Sequence, residues 1–123
     1  VYLDAGQYDR SRVVLESEAA AILLPVAQAS ALALIVNEFV ANSVKHGFAD
    51  GRDGTITIRL TGEAGNYVLR CRDDGAGDET SLAQVSASNG LGTRIITALA
   101  RSIGAEARWS SDGGGLTLDV AAR

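Results

Sequence analysis

From Leu32 to Val44 the apolar residues Leu32, Ile35, Val36, Phe39, Val40 and Val44 recur at the spacing of one helix face. Such a stripe must be buried, so the chain has to build a second layer against it. On another face of the same helix, Glu38, Asn42 and Lys45 stand at i, i+4 and i+7 and point one way. A carboxylate can take a proton or orient a nucleophile. An amide oxygen can join the shell of a hard cation, and an ammonium can neutralise phosphate oxygens. Together they are the parts needed to hold a magnesium–triphosphate. Taken alone, three such residues are more often a solvated helix face, so the decision falls to two later segments.

The first is Arg72-Asp73-Asp74-Gly75-Ala76-Gly77. It follows residues 66–72, which alternate as a half-buried strand, Tyr67, Leu69 and Cys71 against Val68, Arg70 and Arg72. Asp-Gly after a strand is ordinarily a turn. Glycines on both sides of Ala76, however, leave bare backbone where a flat ligand could approach. Asp73, at the strand end, could accept from an exocyclic amine, and this position is expected to lie outside the core. The second segment, Ser88-Asn89-Gly90-Leu91-Gly92-Thr93, opens an apolar helix. Glycines at a helix start let phosphate oxygens reach free backbone N–H groups and the positive end of the dipole. It lacks the Gly-Lys-Ser/Thr ending of a P-loop.

Around these segments the pattern predicts a strand over 12–16, a helix from Pro25 to about Lys45–His46 that stops at Gly47, and a charged turn over 49–54. Strands over 55–61 and 66–72 flank a hairpin turn at 62–65. Residues 78–89 are short, polar and Ser-rich, a mobile lid by composition. A second helix is expected over 91–104, with Leu91, Ile95, Leu99 and Ile103 spaced for burial. Strands 106–110 and 116–121 close the chain as a hairpin. Residues 1–11 read as a polar, irregular linker, and 12–123 as a single domain. The predicted fold class is a two-layer α/β (α+β) sandwich, a mixed β-sheet with helices on one face.

Order and spacing of the three segments resemble the GHKL superfamily of ATP-binding domains, which includes histidine kinases and gyrase-like topoisomerases. Residues 38–48 look like the family's N box. Asp73-Asp74-Gly75-Ala76-Gly77 resembles its Asp-x-Gly-x-Gly box, and Gly90-Leu91-Gly92 its second glycine box. The resemblance covers roughly 12–121 and is closest to the catalytic domain of HWE and related HisKA_2-type sensor histidine kinases. It rests on Leu34-Ile35-Val36-Asn37-Glu38, on Asn42-Ser43-Val44-Lys45-His46-Gly47-Phe48, and on the short segment between Gly77 and Gly90 followed by Leu91-Gly92-Thr93-Arg94-Ile95-Ile96. The chain departs from many histidine kinases in having no evident phenylalanine-containing box between Gly77 and Gly90. Ser88 stands where a full second box has its first glycine, and Gly113-Gly114-Gly115-Leu116-Thr117 matches the last glycine box only loosely. Two readings of Thr117 stay open, a nucleotide-facing residue and a plain strand residue.

The resemblance implies the Bergerat fold and binding of ATP with Mg²⁺. In it Asp73 accepts from the adenine amine, Gly75 and Gly77 let base and ribose approach, and Asn42 ligates Mg²⁺. Lys45 contacts phosphate, and His46 does so or flanks the base. Gly90, Leu91, Gly92 and Thr93 line the phosphates, and Glu38 orients or deprotonates the attacking group. It implies phosphoryl transfer to a histidine on a separate helical dimerisation domain, N-terminal in the full-length chain, with a response regulator downstream. His46 is the only histidine here, and as a helix C-terminal cation it is a poor phosphoacceptor candidate. The alternatives are an anti-sigma-factor-type serine kinase and a non-catalytic nucleotide-binding or phosphotransfer scaffold.

Bulk properties bound the partners. At 123 residues, 46% hydrophobic and 21% charged, the chain is one ordinary globular domain. A net charge of −4 argues against a nucleic-acid surface. The single cysteine, Cys71, cannot form an internal disulfide, which suits a reducing, cytoplasmic compartment. The apolar run near 19–26 is too short to span a bilayer and is broken by Pro25. No basic region marks the start as a secretion signal, and without an initial Met the chain reads as an excised domain.

Overall fold

The computed structural model describes residues 2–4, 12–19, 21–44, 54–74, 91–111 and 115–122, with 2–4, 12–19, 91 and 92 described by backbone alone. Strands β1 (Tyr2–Asp4), β2 (Arg12–Ala19), β3 (Gly54–Glu63), β4 (Asn66–Asp73), β5 (Ala105–Ser111) and β6 (Leu116–Ala122) form one sheet in the order β1-β2-β3-β4-β6-β5. Helices α1 (Val26–Asn42) and α2 (Leu91–Ser102) complete it. The β2–β3 pair is parallel and every other pair antiparallel, so the sheet is mixed and α1 is the crossover of a β–α–β unit. Residues 2–4 depart from the irregular linker that their polarity suggests. They pair with β2 in the register Tyr2↔Val14, Leu3↔Val13 and Asp4↔Arg12.

The period-2 alternation of β4 is realised in full: Tyr67, Leu69, Cys71 and Asp73 are buried, whereas Asn66, Val68 and Arg70 are exposed. Register carries that face across the sheet. Ile58, Cys71, Leu118 and Trp109 form one row, and Leu60, Leu69, Val120 and Ala107 the next. Both helices cover this face. Leu32, Ile35 and Phe39 of α1 and Ile96 and Ala100 of α2 join the sheet residues in one core, with Val36, Val40 and Val44 packed at its margin. Phe39 stacks on Trp109 at a centroid distance of 6.1 Å. The opposite face stays open and carries a two-pronged Arg70–Asp119 pair at 2.7 and 3.1 Å.

Helix ends differ somewhat from expectation. Pro25 is the N-cap rather than a first-turn residue, and its carbonyl accepts from the N–H groups of Gln28 and Ala29. The α-helical part of α1 ends at Asn42, where the Ser43 N–H reaches both Phe39 and Val40 carbonyls. The second helix stops at Ser102 instead of Gly104. Ile103 and Gly104 fold back onto the Ala100 and Arg101 carbonyls, and Gly104 takes φ +70°, a left-handed C-terminal cap. Its buried stripe centres on Ile96 and Ala100, with Leu99 and Ile103 packed on the flanks and Ile95 half-buried. Strand β3 is longer than the alternation suggests. It runs to Glu63, which pairs with Asn66 around a two-residue turn where Gly65 has φ +82°. The expected lid over 78–89 and the turn over 49–53 lie outside the described residues.

Cys71 sits at the centre of this core with no exposure. Desolvation, reinforced by the charge of Asp119, pushes its thiol from an ordinary value near 9.0 up to about 12. The neutral thiol is therefore favoured by folding. That contribution is complete below pH 9 and drains away as pH rises towards 12, by about 1.4 kcal/mol for each pH unit in between. Urea unfolding of the parent and of Cys71→Ala at pH 7, 9 and 10.5 is expected to show this extra alkaline loss in the parent alone.

Candidate functional site

Two apolar stripes end in polar residues, and the fold brings the two ends together. On α1 the buried positions Leu32, Ile35 and Phe39 are continued at the same spacing by Ser43, 4% exposed. On β4 the buried positions Tyr67, Leu69 and Cys71 are continued by Asp73, 2% exposed. The Ser43 hydroxyl donates to Asp73 Oδ2 at 2.8 Å. The amide of Leu116, Asp73's partner across the β4–β6 ladder, donates to Oδ1 at 3.4 Å. Asp73 is thus part of the helix-covered layer, not a strand end outside the core. The expectation that it lies outside the core does not hold: alanine would strip the buried Ser43 hydroxyl and the half-buried Leu116 amide of this acceptor.

Next to it, Asp74 ties β4 to the start of β3. Its amide donates to the Thr55 carbonyl at 3.2 Å, and its Oδ1 accepts from the Thr55 amide at 2.7 Å. On the other side the chain enters β6 through Gly115, buried and at φ +150°. A Cβ there would overlap the carbonyl oxygen of Asp73, so only glycine lets the two backbones lie this close. Thr117 is settled as a strand residue on the opposite sheet face. It pairs with Arg72, whose guanidinium donates to the Thr117 hydroxyl at 3.2 Å.

Among the described candidates, Glu38 and Asn42 are placed near Asp73 by α1, and Leu91, Gly92 and Thr93 open α2. Glu38 and Asn42 are half-buried on α1, one turn apart, and Asn42 immediately precedes the Asp73-bound Ser43. Helix α2 begins at Leu91 and returns through 103–104 into antiparallel β5. At about 1.5 Å per helical and 3.3 Å per strand residue the two are of similar length. The start of α2 therefore lies near the end of β5, and Ser111 there belongs to the row of Leu116 and Asp73. Leu91 and Gly92 form the first turn, whose N–H groups have no partner within the helix. Thr93 follows, half-buried, its carbonyl accepting from the Thr97 hydroxyl at 3.0 Å. Lys45, His46, Gly75, Gly77 and Gly90 lie outside the described residues.

Three residues lie within the quoted motif segments without a role assigned to them there. Ser43 also carries a signal of its own, a polar residue in phase with a buried stripe. The approach of Gly115 and the Leu116 amide to Asp73 is visible only once strand pairing is known. Among the described residues, no three His, Cys, Asp or Glu side chains gather as a metal cluster, and no helix is long and apolar enough to cross a membrane.

The chain belongs to the histidine kinase-like ATPase domain family, whose model matches residues 2–121. It is 27% identical over 112 residues to blue-light-activated histidine kinase 2 of Erythrobacter litoralis, a match covering 90% of this chain and 32% of that protein. Among solved structures it superposes on the histidine kinase domain of the EL346 blue-light-activated kinase from Erythrobacter litoralis. There the TM-score is 0.77 and the identity 25%, over 89% of this chain and 54% of the other. Full-length ShkA in complex with AMPPNP shares the fold, with TM-score 0.64 and 19% identity over 89% of this chain and 25% of ShkA. The chain thus spans about a third of its curated relative and about half of the solved kinase domain.

The close approach at Gly115 is testable. Gly115→Ala should cost at least about 3 kcal/mol, because backbone strain and overlap with Asp73 add. Gly65→Ala has a positive φ but open space, and should cost about 1–2 kcal/mol. Urea denaturation of both variants is the measurement.

Proposed function

We propose that this chain is the ATP-binding catalytic domain of a sensor histidine kinase of the HWE or HisKA_2-type subfamily, acting in the cytoplasm. The observation that carries the reading is the Ser43–Asp73 hydrogen bond, which joins the end of the N-box helix to the end of the strand bearing the Asp-x-Gly-x-Gly segment. The family match and the likeness to kinases of Erythrobacter litoralis support it.

In this reading Asp73 accepts from the adenine amine, with Gly75 and Gly77 beside the base. Lys45 and His46 meet the phosphates, and the first turn of α2, from Gly90 through Leu91 and Gly92 to Thr93, donates backbone N–H groups to them. Asn42 would contribute one amide oxygen to Mg²⁺. One protein ligand suits an ion that keeps its waters and binds chiefly through substrate phosphates. Bound there, the metal would offset the triphosphate charge. The γ-phosphorus is attacked by a histidine nitrogen of a separate dimerisation domain. A P–N bond forms as the bond to the β-phosphate oxygen breaks, ADP leaves, and Glu38 takes or orients the proton of the attacking imidazole. A response regulator then receives the phosphoryl group.

Calorimetric titration tests the nucleotide assignment. ATP should bind more tightly than GTP by about 1.5–3 kcal/mol, tenfold to a hundredfold, because guanine sets a carbonyl against the Asp73 carboxylate. Asp73→Asn, which keeps shape and an acceptor for Ser43, should lose most of that preference. Asn42→Ala should weaken ATP binding by about 1.5–3 kcal/mol in magnesium and much less in EDTA. Equal affinities for ATP and GTP in the parent would remove the adenine role of Asp73.

Phosphotransfer has its own test. Incubated with labelled ATP, the chain alone should not accumulate acid-labile phosphohistidine, whereas adding the cognate helical domain in trans should produce it. Strong labelling of His46 in the isolated chain would overturn the division of labour between the two domains.

A further inference from the structure

Strand β5 lies at one edge of the sheet, and among the described residues β6 is its one strand neighbour. An edge of this kind turns the N–H and C=O groups of alternate residues outwards, ready to pair with another strand. A groove of about 400 Å³ runs between this edge and α2. Its lining is mostly small, with Thr97, Ala100, Gly104, Ala105 and Ala107. The strand reads Ala105-Glu106-Ala107-Arg108-Trp109. Ala105 and Trp109 share the helix-covered face with Ala107, one small and one large at equal distances from it. Glu106 and Arg108 share the open face, again at equal distances from Ala107, and within the chain they meet at 3.3 Å. Their side chains are 40% and 77% exposed, so this contact by itself is worth little.

We infer that β5 is an interface for a second copy of this chain, paired antiparallel about a two-fold axis at Ala107. A strand fits a copy of itself only if residues at equal distances from the axis complement one another. Here they do so in charge and in size. Glu106 meets the partner's Arg108, and Arg108 meets the partner's Glu106. Ala105 leaves room for the partner's Trp109. Arg108 stands opposite Asp119, and Asp119 opposite Arg70, so opposite charges continue in turn along the open face from Arg70 to the partner's Glu106. On the covered face Ala107 meets its own copy and joins the apolar row Leu60–Leu69–Val120–Ala107 to the partner's row. The neighbouring registers that keep each face on its own side fail. An axis at Arg108 sets two guanidinium groups against each other, and one at Glu106 sets two carboxylates. Because the strands run antiparallel, the Ser111 ends of the two copies point apart, and the pairing does not depend on the nucleotide assignment.

Sedimentation velocity over a concentration series tests the pairing, and the parent should form a reversible dimer. Arg108→Glu and Glu106→Arg should each weaken self-association about tenfold or more, because two attractive pairs become repulsive. Mixed in equal amounts, the two variants should associate again, since an acidic edge then meets a basic one. A fold defect within either chain could not be repaired in that way. Ala107→Cys reads the register: with oxidised glutathione it should give a disulfide-linked dimer under native conditions, whereas Ser110→Cys should not. Thermal melting establishes that each variant is folded, and should a charge variant fail to fold, the two cysteine variants decide. A parent that stays monomeric throughout, or single charge variants that associate as the parent does, would overturn the inference and leave Glu106 and Arg108 as charges that keep the edge from pairing. Failure of the mixture to associate, or cross-linking through Ser110→Cys instead of Ala107→Cys, would overturn it as well.

Discussion

The hydrogen bond from Ser43 to Asp73 is where the two layers of the fold become a site. Both residues occupy buried positions of otherwise apolar stripes, one with helical and one with strand period. A polar side chain at such a position costs free energy unless it finds a partner. Here the two meet each other, so the helix cannot slide or turn on the sheet without breaking this bond. Hydrophobic burial alone is non-directional. This bond supplies the direction, and it fixes Asn42, one residue earlier, and Glu38, one turn before that, relative to the strand end.

Strand pairing builds the rest of that corner. Antiparallel β4 and β6 bring Leu116 opposite Asp73, and Gly115 lets the incoming chain lie against the Asp73 carbonyl. Asp74 meanwhile bonds both polar groups of the Thr55 backbone and fastens the start of β3 to the same place. Three strands and one helix are thus tied at one end by contacts that are mostly to backbone. Thr117, one residue beyond Leu116, points to the other face by the strand's period of two and serves the Arg72 guanidinium instead.

Much of this was legible in the sequence, for identifiable reasons. The stripe of α1 and the alternation of β4 are strong periodic signals because each element has one face on the core and one on solvent. The layer order follows from them. The centre of the α2 stripe was not legible. Residues 95, 96, 99, 100 and 103 form a wide apolar arc, and periodicity cannot tell which part of it points inward. The neighbours decide: α1 on one side and β5 on the other place Ile96 and the small Ala100 deepest, which sends Leu99 and Ile103 to the flanks. Strand β1 was hidden for a different reason. A three-residue strand carries no measurable alternation, and only its partner β2 reveals it. Asp73 was read correctly as a residue of interest and incorrectly as peripheral, because a charged residue next to glycines signals a turn. Its place in the alternation, two after Cys71, was the better guide.

The rows of the covered sheet face show why the site lies at this end. Two successive rows, Leu60–Leu69–Val120–Ala107 and Ile58–Cys71–Leu118–Trp109, are apolar apart from their edges, and both helices lie over them. The next row is Ile56–Asp73–Leu116–Ser111, in which apolar and polar residues alternate across the strands. The core therefore gives way to polarity within one strand period of Cys71. A flat heteroaromatic ring with a polar edge matches such a boundary. Its faces can continue the apolar packing of the preceding rows while its edge meets the carboxylate. A fully polar ligand would forfeit the first term and an aliphatic one the second. On the proposed reading adenine serves as the last layer of the core, and the specificity of the site comes from the Asp73 carboxylate at its edge.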